Sequence, residues 1–167
     1  MPKKIWYAPN KFESYGEEEI KAVEECLRAG WLAGFGERTI EFEKRVSDYF
    51  GKKYGLFVNS GSSAILVGLC ALDLPKGSEV VTPACGFATT VAPLEQLGLK
   101  PVFCDVDLTS YVTTVEQLRR VVTPETKCLI LPNLIGNVPD WQAIREAFPG
   151  VILFEDSADT MTHTSCT

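Results

Sequence analysis

A few short stretches of this sequence combine residue types able to hold a small molecule. Asn59-Ser60-Gly61-Ser62-Ser63-Ala64 sets a glycine among hydroxyls where an apolar run gives way to a helical pattern. Gly61 permits a tight turn, and amides at a helix start point outward, which favours an anion. Ser62 and Ser63 add hydroxyl donors. An ordinary strand-to-helix turn with a serine N-cap explains the same residues. The run matches neither the G-x-x-x-x-G-K-[ST] nor the G-x-G-x-x-G phosphate pattern. Phe87 follows Gly86 in a second loop. A flat ring there stacks on a planar ligand or joins the core. Asp156 comes two residues after the apolar run Val151-Ile152-Leu153-Phe154. A carboxylate at the end of a buried strand needs a cationic partner to stay ionised, and a protonated ring nitrogen is one. A surface acid or helix cap is the plain alternative.

Other candidates point to less. Asp105 and Asp107 flank Val106 with no further ligand nearby, so capping or surface charge explains them. Asn133 and Asn137 flank Leu134-Ile135-Gly136 and read as turn chemistry. The single histidine, His163, reads as a surface or turn residue. No metal site is expected: the six cysteines (26, 70, 85, 104, 128 and 166) form no C-x-x-C pair. Cys70, Cys104, Cys128 and Cys26 lie in apolar segments and read as buried free thiols of a reducing compartment. No signal peptide is visible and no apolar run reaches about 18 residues, so the expected location is the cytoplasm and no membrane partner is expected. Acidic residues outnumber basic ones 22 to 16, giving a net charge of −6. The basic runs, such as Lys52-Lys53 and Arg119-Arg120, are too short to track a phosphate backbone, so nucleic acid is excluded.

The elements that must position these residues alternate. Apolar runs at 54–58, 79–82, 101–104, 127–131 and 151–154 predict five strands. Helices are expected near 16–29, 39–50, 62–72, 89–97, 115–121 and 140–148. At 167 residues the chain is long enough for one α/β domain. The expected organisation is an N-terminal helical segment over 1–51 and an α/β domain over 52–167, with residues 1–15 irregular. Strands alternating with helices predict a mostly parallel sheet with helical crossovers on both faces, in three layers. In such sheets ligands sit beyond the carboxyl ends of the strands. Each stretch singled out above follows a predicted strand. Together they offer a phosphate nest, a stacking ring and an acid for a ring nitrogen. Pyridoxal phosphate (PLP) has those three features, and its chemistry wants the nitrogen protonated.

Several segments in this order resemble the amino-terminal part of the DegT/DnrJ/EryC1/StrS family, fold-type-I PLP enzymes acting on nucleotide-linked keto-sugars. They are Gly30-Trp31-Leu32, Glu41-Phe42-Glu43, Asn59 to Ala64, Gly86-Phe87-Ala88-Thr89-Thr90, Val102 to Asp107 and Glu155-Asp156. The resemblance implies cofactor contacts at Gly61, Ser62 and Ser63 (phosphate), Phe87 (ring stacking), Asp156 (pyridine nitrogen) and Asp159 (near the phenolic oxygen). It implies PLP or its amine form PMP, a nucleotide-sugar substrate, and a homodimer or a completing partner chain.

The family runs two chemistries. Aminotransferases carry a lysine where 3-dehydratases carry a histidine. Ser62-Ser63, Thr89-Thr90-Val91, Ile135-Gly136-Asn137 before Pro139-Asp140, and Asp159 look more like the dehydratase branch, which eliminates a C3 hydroxyl from a 4-keto-6-deoxy sugar. The resemblance puts the deciding lysine or histidine beyond Thr167. It also implies more strands than five and a further small domain. The expectation is therefore an incomplete PLP-binding large domain, a fragment or a chain completed by a partner. The rival expectation is a catalytically inactive binding or dimerisation module.

Overall fold

The computed structural model describes residues 15–160. Most of the irregular stretch expected over 1–15, and His163 and Cys166, lie outside them. The described residues divide into two compact units, one ending at Phe57 and one beginning at Val58.

The first unit holds α1 (Glu17–Ala29) and α2 (Glu37–Tyr49). Glu17, Glu18 and Glu19 in the first turn of α1 complement the helix dipole. Gly30 ends α1 at φ +75°, a conformation open to glycine at little cost. The apolar stripe of α1 stays exposed, with Val23 and Leu27 each at 60%.

The run Tyr54–Val58 is a correction to the expected five strands: it forms none. It is an extended segment laid on α2. Its Phe57 N–H donates to Glu43 Oε1 at 2.8 Å, and the Phe57 ring meets Phe42 edge-on at 5.0 Å. A Cβ on Gly55 would lie 2.6 Å from the Glu43 carbonyl oxygen, so only glycine passes there. A strand needs a ladder partner for its backbone groups, and no strand among the described residues pairs with this segment.

The second unit is a parallel sheet with helices on both faces. Its elements are α3 (Gly61–Ala71), β1 (Glu79–Pro83), α4 (Ala88–Gln96), β2 (Lys100–Cys104), α5 (Val115–Arg119), β3 (Thr126–Pro132), α6 (Trp141–Ala147) and β4 (Ile152–Asp156). The strand order is β2-β1-β3-β4, every pair parallel. Side chains alternate across the sheet. Val80, Cys128 and Ile130 pack with Ile65 and Leu69 of α3 and Leu94 of α4. Val81, Leu129 and Leu131 pack on the other face with Leu118 of α5 and Trp141 and Ile144 of α6. The expected three layers are present.

Of the thiols read as buried, Cys104 and Cys128 are; Cys26 is half-buried and Cys70 is exposed. α3 is apolar almost all round, so periodicity does not mark its sheet face. Ile65 and Leu69 take that face, and Cys70 falls off it. Burial pushes the Cys128 thiol up to about 12.

α3 sits close on the sheet because Gly68 has no side chain: a Cβ there would come within 2.7 Å of the Phe154 ring. Gly68→Ala should lower unfolding stability by ~1–3 kcal/mol through overpacking, read by chemical denaturation. Past β2, Asp107 ties a turn. Its carboxylate accepts from the Thr109 hydroxyl at 2.6 Å, and from the Ser110 and Thr109 amides and the Ser110 hydroxyl. These bonds, the Thr109 hydroxyl foremost, hold the acid at about 2. A depressed carboxyl stabilises the folded state fully above about pH 4. That contribution disappears as the pH falls to about 2. An NMR titration of the Asp107 carboxyl carbon should give a midpoint near 2, and one at the ordinary aspartate value would refute the turn.

Candidate functional site

β1 and β3 are neighbours whose onward connections leave in opposite directions. β1 runs through α4 to β2, and β3 runs through α6 to β4. The chain therefore diverges at the carboxyl ends of these two strands, which opens a crevice between the departing loops. A pocket of about 210 Å³ lies there, walled by Thr82, Pro83, Gly86, Phe87, Thr90 and Pro132 among others.

Phe87 is the residue before α4 and is 76% exposed. It is therefore not a core aromatic, and its ring belongs to the pocket wall. Thr90, one turn on, is buried and joins two elements: its hydroxyl donates to Asp156 Oδ2 at 2.9 Å. Asp156 ends β4 in register with Pro132 of β3. Among the described residues its other oxygen, Oδ1, receives only the Ala158 amide, at 3.3 Å. One carboxylate oxygen is thus fixed, and the other retains capacity for a donor.

The serine run opens α3. Ser60 is its N-cap, and Ser60 Oγ accepts the Ser63 amide at 3.1 Å. The Ser63 N–H is therefore already engaged. The Gly61 and Ser62 amides meet no protein acceptor among the described residues, and Ser62 is exposed. Those two amides and the Ser62 and Ser63 hydroxyls are the donors left for an anion, since the Ser60 hydroxyl donates to Ser63 Oγ at 3.1 Å. Asp159 is exposed and makes no hydrogen bond among the described residues. The pocket wall contains Phe87 and Thr90 but neither the serines nor Asp159. The groups present, a helix start with free amide donors, an exposed flat ring and a carboxylate with acceptor capacity left, fit a molecule carrying a phosphate, an aromatic face and a ring nitrogen. Among the described residues no group of acids, thiols and histidine forms a metal site.

Two residues were not assigned their roles from sequence. Thr90 lies in a quoted motif, but its type alone does not point to Asp156 across 66 positions. Asn133, read as turn chemistry, is 1% exposed. It accepts the Trp141 indole N–H at 3.0 Å and donates to Glu155 Oε1 at 2.6 Å and Ser157 Oγ at 3.1 Å. An amide following an apolar strand and eight residues before a tryptophan was the only signal available.

This architecture, a parallel sheet with the site at its carboxyl edge, is that of the fold-type-I PLP-dependent enzymes. The crystal structure of a GDP-4-keto-6-deoxymannose-3-dehydratase with a trapped PLP-glutamate geminal diamine superposes with a TM-score of 0.83 at 32% identity. That match covers 87% of this chain and 40% of that one. Residues 13–165 match the DegT/DnrJ/EryC1/StrS aminotransferase family, and the chain belongs to it. It is 32% identical over 161 residues to the GDP-4-keto-6-deoxy-D-mannose 3-dehydratase of Yersinia pseudotuberculosis, covering 92% of this chain and 41% of that protein. It is 34% identical over 147 residues to the dTDP-4-dehydro-2,3,6-trideoxy-D-glucose 4-aminotransferase of Saccharopolyspora spinosa, covering 86% and 38%. The chain thus spans about two fifths of the length of these relatives. Among the described residues, no helix is long and apolar enough to cross a membrane.

Because Phe87 packs against little, Phe87→Ala should change unfolding stability by less than about 0.5 kcal/mol. A loss of several kcal/mol on denaturation would return this ring to the core.

Proposed function

We propose that this chain supplies the cofactor-binding part of a PLP- or PMP-dependent enzyme acting on a nucleotide-linked 4-keto-6-deoxy sugar, with C3 dehydration as the reaction. The observation that carries the proposal is Asp156, held by Thr90 through one oxygen while the other, which accepts the Ala158 amide, retains capacity for a further donor. When bound, the cofactor supplies an electron sink through its protonated ring. Asp156 keeps the proton at the ring nitrogen. Thr90 fixes the rotamer of Asp156, Phe87 covers the ring face, and Gly61, Ser62 and Ser63 hold the phosphate. Asp159 would serve the cofactor's phenolic oxygen. Similarity to 3-dehydratases favours elimination over amino transfer. The reading of aminotransferase chemistry draws support from the relative of that activity.

A second copy of this chain is the proposed partner, and the cytoplasm the proposed compartment. Trp31, Leu32 and Phe35 at 65%, 70% and 76% exposure support a partner surface on the first unit. The rival reading, a non-catalytic dimerisation module, rests on that surface without the cofactor.

Added PLP should give an induced circular dichroism band with the 167-residue chain. Asp156→Asn should weaken binding at least tenfold, as a charge-assisted bond of about 1.5–3 kcal/mol predicts. Thr90→Val should weaken it severalfold, and Thr90→Ser should restore it. No band at all, with self-association intact, would favour the dimerisation module.

A further inference from the structure

Asn133 sits where β3 gives way to its loop, and its hydrogen bonds reach two other segments, α6 and Glu155–Thr160. Its side chain takes the Trp141 indole N–H from α6 and gives its two protons to Glu155 and Ser157 beside Asp156. The Ser157 hydroxyl in turn donates to Glu155 Oε1 at 2.6 Å, closing a triangle. Its backbone N–H donates to the Asp156 carbonyl at 2.9 Å. Its carbonyl accepts from Thr160 Oγ1 at 3.0 Å, and the same Thr160 oxygen accepts the Gly136 amide at 3.0 Å. The amide orientation is fixed by its neighbours: an indole N–H only donates and a carboxylate only accepts, so oxygen faces Trp141 and nitrogen faces Glu155. Every polar group of Asn133 is thereby used, at a residue only 1% exposed. Between Asn133 and Gly136 the turn holds Ile135 at φ +51°, a left-handed conformation that a β-branched residue resists. The bonds on either side hold that turn in place.

We infer that Asn133 is a positioning residue for the cofactor site. It locks the segment Glu155–Thr160, which carries Asp156 and Asp159, to the turn Leu134–Gly136, so that the two loops at the carboxyl ends of β3 and β4 move as one body. The inference rests on the proposed cofactor reading for its consequence, though not for its geometry.

Asn133→Asp keeps the shape and the acceptor for Trp141 but loses both donors and sets a like charge against Glu155. Trp141→Phe removes the other partner and leaves the Glu155 and Ser157 bonds intact. Two readouts are taken on the full chain at matched global stability. One is amide hydrogen exchange at Gly136 and Asn133, and the other is the induced dichroism of added PLP. Asn133→Asp should speed exchange at both amides at least tenfold and weaken PLP binding by a similar factor. Trp141→Phe should leave both within about twofold. Should Asn133→Asp fail to fold, Glu155→Gln weakens the same link from its exposed end, and should give a smaller change of the same kind. Equal effects of Asn133→Asp and Trp141→Phe would reduce Asn133 to a core residue and overturn the inference, as would unchanged exchange at Gly136. Absence of any PLP band in the unsubstituted chain would sink the cofactor reading alone, and the exchange measurements would still decide the lock.

Discussion

A parallel sheet leaves a line of backbone polar groups at the carboxyl ends of its strands, and something outside the ladder has to satisfy them. In this chain β3 and β4 finish together, Pro132 opposite Asp156. The next donor along is the Asn133 amide, which takes the Asp156 carbonyl. From that bond onward side chains replace the ladder. Asn133, Thr160 and Ser157 tie the loops to each other, and Thr90 ties the Asp156 carboxylate to α4. An unsatisfied group here would cost about 1–3 kcal/mol, so the sheet's ending and the ordering of its edge are one problem. Among the described residues, no buried side-chain polar atom lacks a partner.

The two faces contribute differently to that edge. The face formed by α3 and α4 delivers chemistry: the serine run opens α3, Phe87 precedes α4 and Thr90 lies within it. The face formed by α5 and α6 delivers packing, with Trp141 buried in its core. The strands between them are buried on both sides, Val80 and Ile130 toward one face and Val81 and Leu129 toward the other. Such strands have little freedom to shift register, since a slip of one residue would swap every side chain between the two cores.

The sheet was readable in the sequence because these buried strands are short continuous apolar runs bounded by turn residues, as at Lys127–Leu131. The same signal misled at Tyr54–Val58. That run is equally apolar, but hydrophobicity does not announce a ladder partner, and its Phe57 amide went to Glu43 instead. The candidate site was readable where residue type alone suggests chemistry, at Gly61, Phe87 and Asp156. It was opaque where the chemistry is a pairing across the fold. Thr90 and Asp156 are 66 positions apart, and a threonine in a helix carries no mark of its partner. Asn133 was read as turn chemistry because asparagine usually serves turns. Its side-chain hydrogen bonds go to Trp141 and Glu155 among others, and neither of these points to it in the linear sequence.

The distribution of thiols has a separate consequence. Cys128 lies in the middle of the sheet, fully buried, with its proton held far more tightly than that of a free thiol. Cys70 and Cys85 lie on the surface of the same unit. An alkylating reagent attacks thiolates, so it modifies the surface pair directly and reaches Cys128 only through opening of the sheet. The unit therefore carries an internal clock for its own unfolding, with its calibration standards built into the same chain.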